Sequence, residues 1–350
     1  MEMLECGYTS VGEFHYVHHQ EAGKHYDNIA ETSCRIITAA HETGIGLTHL
    51  PVFYMQSNLD GSKLSQNQLR FGNNSEQYFR ILELARAALS NAPKDYLLGI
   101  APHSLRAVSP EALVEIIEAK TSGPVHIHIA EQLKEVVDFQ LKFNARPVEW
   151  LLDNTAVDSK WCFIHATHLT SKEIHNSAKS GAVAGLCPIT EANLGDGIFD
   201  GSGWLLSGGK YGIGSDSNVQ ISLTEELRLL EYSQRLLKKE RNVMSQVPGS
   251  VGHALYNDSL VGGAQALGRK SGSITSGNWA DLLTLDAESL TFCGCTEDQI
   301  LDRWIFCGND SLVREVWSAG RQMVVDGRHI KHSIIEKQYR NVIQEIQKGM

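Results

Sequence analysis

The chain has 350 residues, 42% hydrophobic and 21% charged, the profile of a globular protein with a sizeable core. Its net charge of -10, with no basic run to offset it, argues against nucleic acid and anionic membrane surfaces as partners. No apolar run reaches the roughly 18 residues a membrane helix needs, residues 1–6 carry no signal-peptide pattern, and seven scattered cysteines suit a reducing, cytoplasmic compartment better than a disulfide framework.

Residues 9–14 read as a short strand running into His15-Tyr16-Val17-His18-His19. A helix is expected over 26–42, stopped by Gly44, then a strand over 46–54. The polar stretch 55–74 is long for a connector and predicts a lid or binding loop ahead of a helix over 75–89. A strand over 96–101 ends at Pro102-His103-Ser104-Leu105-Arg106. Ser109-Pro110 caps the next helix with proline in its first turn, and Gly123-Pro124 ends it. Val125-His126-Ile127-His128-Ile129 alternates with period two, as a buried strand does. Glu131 stands one loop step beyond, and a helix over 132–141 follows. A strand over 161–164 ends at His165, and Thr170 to Glu173 has capping-box spacing for a helix stopping near Gly181. A strand over 182–186 leads into Cys187-Pro188-Ile189-Thr190-Glu191, and one over 211–214 ends at Ser215-Asp216-Ser217. Ser222 and Glu225 open a helix to about residue 239, and another spans 251–267.

These are strand-then-helix units with polar residues just after each strand. That pattern predicts the α/β class and a parallel (β/α) TIM-like barrel over 1–268, its site on the C-terminal face. Residues 272–274, 280–285 and 314–325 read as short strands, a small β portion over 269–330, and a helix within 331–350 closes the chain.

His15, His103, His126, His128, His165 and Asp216 all fall at strand ends. Taken singly, each is more simply a structural rim residue. Taken together, they can bring histidine and carboxylate ligands to one metal with an open position for water. Glu131, left off the metal, could then carry a proton. The pattern predicts metal-assisted hydrolysis of a small molecule.

The His-x-x-Glu of His128 and Glu131, followed in order by His165 and Asp216, resembles the single-metal deaminases of the amidohydrolase superfamily. Phe14-His15-Tyr16-Val17-His18-His19, Ala101-Pro102-His103-Ser104-Leu105-Arg106, His126-Ile127-His128-Ile129-Ala130-Glu131-Gln132 and Thr190-Glu191-Ala192-Asn193-Leu194-Gly195-Asp196-Gly197 together resemble the formimidoylglutamate deiminases. The likeness runs from Gly7 to about Val325. It implies hydrolysis of N-formimidoyl-L-glutamate to N-formyl-L-glutamate and ammonia. By the same resemblance Glu131, His165 and Asp216 are catalytic, His128 and Asp216 hold one Zn2+ (iron or manganese also accepts such ligands), Tyr16, His103 and Arg106 hold substrate, and the protein is a homodimer. Arg106 suits a substrate with two carboxylates, because a guanidinium pairs two-pronged with a carboxylate; its alternative is a surface salt bridge. His126 receives no role. The rival readings are a deaminase of a cyclic amidine such as guanine, and a protein that keeps the fold without catalysis.

The resembling enzymes also carry a first strand with a His-x-His pair that supplies two more ligands, preceded by half of a β-sandwich. No His-x-His precedes Thr9 here. The expectation is an N-terminally truncated form in which metal falls to His128 and Asp216, helped by His165. The barrel is then left with two unpaired parallel edges, and the C-terminal β portion is a sandwich remnant.

Overall fold

The computed structural model describes residues 1–119, 122–217, 219–246 and 248–349. It begins with helix α1 (Glu2–Glu5), strand β1 (Ser10–His15), α2 (Glu31–Thr43), β2 (Gly46–Phe53), α3 (Ser75–Leu89), β3 (Leu97–Leu98), β4 (Ala101–Pro102) and α4 (Pro110–Glu118). There follow β5 (Val125–Ile129), α5 (Leu133–Phe143), α6 (Pro147–Asn154), β6 (Trp161–His165), α7 (Ser171–Ser180), β7 (Val183–Leu186), α8 (Pro188–Leu194), α9 (Gly201–Leu206), β8 (Lys210–Ile213), α10 (Leu223–Lys238) and α11 (Val251–Ala266). The C-terminal part holds β9 (Leu282–Leu285), α12 (Ile300–Cys307), β10 (Val313–Ser318), β11 (Arg321–Val325), β12 (Arg328–His329) and α13 (His332–Gly349).

All pairings from β1 to β8 are parallel, in sequence order. Single bridges, Ile100 to Val125 and Ser104 to His128, carry the sheet across to β5. The strand expected over 96–101 is therefore interrupted. The interruption falls at Gly99, where a Cβ would lie 2.5 Å from the Pro124 carbonyl oxygen. β1 pairs with β2 and β8 with β7, and among the described residues β1 and β8 are not paired with each other. This is the open arrangement expected of the sequence.

Period two divides each strand. Ile127, Ile129, Trp161, Phe163, Ala184, Leu186 and Tyr211 are buried in the main core, each large one contributing roughly 1.5–3 kcal/mol. His126, His128, Cys162, Ile164, Gly185 and Gly212 face the other way, into a cavity of about 840 Å³ that also reaches Gly12, Tyr16 and Asp216. Helix α11 sits close on β8, since a Cβ on Gly262 would lie 1.9 Å from the Tyr211 carbonyl oxygen.

The C-terminal strands form one antiparallel sheet in the order β12-β11-β10-β9. Residues 272–274, expected as a strand, are irregular, and residues 314–325 are a hairpin. The first residues of the chain belong physically to this part. Leu4 is fully buried, and Glu5 accepts from His329 N at 2.8 Å and contacts His332 Nδ1 at 2.6 Å.

Candidate active site

β5, β6 and β8 deliver His128, His165 and Asp216 to one place at the C-terminal end of the sheet. One ligand atom from each lies within 4.8 Å of the others. The local backbone is unusual there. Ala130, His165, Ala166 and Asp216 have φ of 51°, 65°, 50° and 39°, a region non-glycine residues enter at a cost of about 1–3 kcal/mol each. These turns aim the side chains inward from the strand ends.

Hydrogen bonds settle the imidazole orientations. His165 Nδ1 donates to Glu191 Oε1 at 3.1 Å, and His128 Nδ1 to the His103 carbonyl at 3.3 Å, so both rings present Nε2 as a lone-pair donor. His165 Nε2 lies 3.8 Å from Asp216 Oδ2 and 3.9 Å from Glu131 Oε1. Two imidazoles and a carboxylate meeting at one point are a donor set that fits a divalent cation with coordination left open. The sequence assigns retention to His128 and Asp216, helped by His165, and the three side chains lie together as a group that could hold a cation.

Glu131 stands at the edge of this group. Glu135 fixes its loop by accepting from Ala130 N at 3.0 Å and Glu131 N at 3.1 Å. Burial raises the Glu131 carboxyl above the usual carboxylate range, only partly offset by His165 and Arg106. Burial likewise raises Asp216, against the pull of His165. His165 is shifted up: burial works against its charged form, but Glu191, Glu131 and Asp216 outweigh that. Glu131, 3.9 Å from His165 Nε2, faces the same point as the donor set without belonging to it, which is where a proton-carrying carboxylate would stand.

The substrate candidates gather beside the cluster. Tyr16 packs edge-on against His103 (5.8 Å) and Phe71 (5.1 Å), and His103 stacks on His128 at 5.1 Å. Tyr54 adds a fifth ring, 4.6 Å from His103, and its hydroxyl accepts from Gln68 Nε2 at 3.0 Å. The stretch 55–74 thus supplies Phe71 and Gln68 to the wall of the site. Arg106 forms no ion pair among the described residues, and its Nε is buried without a hydrogen-bond partner, which removes the surface salt bridge. Its charge reaches His103, His128 and Glu131.

Two strand-end histidines stay outside the donor cluster. His126 Nε2 bonds to the Ala266 carbonyl at 2.7 Å and His15 Nε2 to Thr32 Oγ1 at 3.0 Å. Three contributors escaped sequence reasoning. Glu135 sits three residues after the N-cap Gln132, a capping spacing that offered a signal; Tyr54 ends a strand, as the other site residues do. Glu191 lies in the Thr190 to Gly197 stretch that carries the family resemblance, but no local spacing points to its partner, 26 residues away.

An open parallel barrel with a histidine and carboxylate cluster at its C-terminal rim defines a class of metal-dependent hydrolases, and the chain belongs to it: residues 1–323 match the model of the amidohydrolase family. A more particular likeness is to the formimidoylglutamate deiminase of Pseudomonas aeruginosa, 48% identical over 348 residues, which are 99% of this chain and 76% of that protein. Among solved structures, an amidohydrolase from Brucella melitensis superposes with a TM-score of 0.94 at 45% identity, covering 99% of this chain and 76% of that one. An adenosine deaminase from Xanthomonas campestris with bound zinc shares the fold, with a TM-score of 0.78 at 21% identity over 98% of this chain and 73% of its own.

Proposed function

We propose that the chain is built for the hydrolytic deamination of N-formimidoyl-L-glutamate, giving N-formyl-L-glutamate and ammonia. The observation that carries this reading is Arg106, a half-buried guanidinium whose Nε has no partner, set beside the His128, His165, Asp216 and Glu131 cluster. A buried unpaired donor costs about 1–3 kcal/mol or more when charged, a cost that an anionic ligand removes. The Pseudomonas relative supports the particular substrate.

His128, His165 and Asp216 would hold the cation, zinc in this reading, which when bound supplies a Lewis acid and lowers the pKa of water. Arg106 takes a substrate carboxylate two-pronged, while Tyr16 and His103 close the wall beside the formimidoyl group. Glu131 takes a proton from the water that attacks the amidine carbon and returns one to the departing nitrogen, so that the C–N bond breaks and ammonia leaves. Asp216 and His165 face the same point and share the proton's field. The reading extends to a homodimer, tested by mass in solution, and to a reducing cytoplasmic compartment, which suits seven cysteines that are all free.

The test is ammonia release from N-formimidoyl-L-glutamate and from guanine by the purified, zinc-supplemented chain. Turnover of formimidoylglutamate alone is expected. Turnover of guanine alone overturns the substrate, and turnover of neither with stoichiometric zinc overturns the catalytic reading.

A further inference from the structure

Cys187-Pro188-Ile189-Thr190-Glu191 turns from β7 into α8 and sets two consecutive polar side chains against two different strand ends. Glu191, buried, uses one oxygen twice: Oε1 accepts from His165 Nδ1 at 3.1 Å and from Cys187 N at 2.9 Å. Thr190, fully buried, brackets Asp216 from both sides. Its Oγ1 donates to the Ser215 carbonyl at 3.3 Å, accepts from Ser217 N at 3.3 Å and lies 2.9 Å from Ser217 Oγ. The turn is itself tied down, since Ile189 N donates to Glu226 Oε2 at 3.0 Å.

Both residues held this way, His165 and Asp216, have positive φ. Such conformations persist only where the surroundings over-determine them. We propose that Thr190 and Glu191 are a pair of positioning residues on one turn: Glu191 fixes the Nδ1–H tautomer and ring plane of His165, Thr190 fixes the Ser215-Asp216-Ser217 turn, and the rigid step between them sets the spacing of the two donors. A carboxylate behind an imidazole is a common way to orient a ligand. Here the same turn also holds the second donor. The inference rests on reading the cluster as a cation site.

The experiment uses the full chain as wild type, Glu191→Ala, Glu191→Gln, Thr190→Val and Thr190→Ser. Two readouts are taken: the imidazole ¹⁵N shifts of His165 in the metal-free protein, and Co²⁺ affinity from visible absorption. Glu191→Ala is expected to let His165 populate both tautomers and to weaken Co²⁺ binding about 10–100-fold, with Glu191→Gln keeping the tautomer and most of the affinity. Thr190→Val is expected to weaken Co²⁺ binding with the His165 tautomer unchanged, and Thr190→Ser to restore it. An unchanged tautomer in Glu191→Ala, or unchanged affinity in Thr190→Val, overturns the proposal. Wild-type protein that binds no Co²⁺ sinks the cation reading instead, and the tautomer measurement then decides the role of Glu191 by itself.

Discussion

Arg269 and Arg106 sit at opposite ends of the same barrel and are treated in opposite ways. At the floor, Arg269 is buried and saturated. Its Nε and Nη2 donate to Asp281 at 2.7 and 2.9 Å, and its Nη1 to Asp95 Oδ2 at 3.1 Å, while Arg321 donates to Asp95 Oδ1 at 2.9 Å and to Oδ2 at 2.8 Å. Both Arg321 and Arg269 hold the Asp95 carboxyl below its usual range against the opposing effect of burial. At the rim, Arg106 has a buried Nε with nothing to donate to, and the carboxyls of Glu131 and Asp216 are pushed up. The floor network ties the barrel to the C-terminal sheet, whereas the rim leaves its charges and strained turns for a ligand to complete. Stability and function are thus written in the same residue types and distinguished by whether their hydrogen bonds are already made.

The sharpest way to break this contrast is to damage each end and compare. Asp95→Ala leaves two arginines facing each other without their carboxylate, and a broken buried pair costs about 3–5 kcal/mol. Chemical denaturation should show that loss, while turnover per folded molecule is retained. Glu131→Gln should do the reverse, with at least about a hundredfold lower turnover and an unchanged denaturation midpoint. A Glu131→Gln protein with normal turnover would take that residue out of the mechanism. One step smaller, Arg106→Lys keeps the charge but loses the two-pronged geometry. It should cost about ten- to a hundredfold in kcat/KM, mostly through KM, with stability untouched.

Much of the floor and core could be read in the residues, because burial writes itself as period. The alternation over Val125–Ile129, the caps at Ser109 and Thr170 and the helix Ser75–Leu89 all lie where the pattern put them. What escaped has physical causes. α6 and α8 are short helices of 8 and 7 residues, too brief for a helical period to show. The break between β3 and β4 comes from Gly99 meeting Pro124, a close approach between segments that no local window contains. At the rim, strand-end chemistry marked His128, His165, Asp216 and Glu131, and the family resemblance added Arg106. The joining of His165 Nε2 to the donor set depends on positive φ at a non-glycine residue, which residue type hides. Tyr54 and Glu191 act through partners distant in the chain.

A smaller effect concerns histidines outside the barrel's interior. Burial lowers His15 to about 4 and His18 to about 3, from an ordinary value near 6.5. The unfolded chain therefore binds more protons than the folded one below pH 6.5. Stability from this source is complete above that pH and falls as pH drops towards about 4, by at most about 1.4 kcal/mol per pH unit for each histidine. His15→Gln should flatten the acid limb of a stability-against-pH curve by about one histidine's slope. An unchanged slope would show that His15 takes up its proton without unfolding.

The smallest expected change is the one with the least obvious sign. His49 is fully buried, and neither ring nitrogen has a hydrogen-bond partner; the His15 ring lies 5.4 Å away, centre to centre. Burial and the neighbouring His15 and His18 keep it neutral, yet a neutral imidazole still carries one N–H, and a buried donor left unpaired costs about 1–3 kcal/mol. Leucine at this site removes the orphan and keeps an apolar side chain of comparable bulk. His49→Leu should therefore leave the denaturation midpoint unchanged or raise it, where most fully buried substitutions lower it. A loss above about 1 kcal/mol would mean that the ring is satisfied by ordered water.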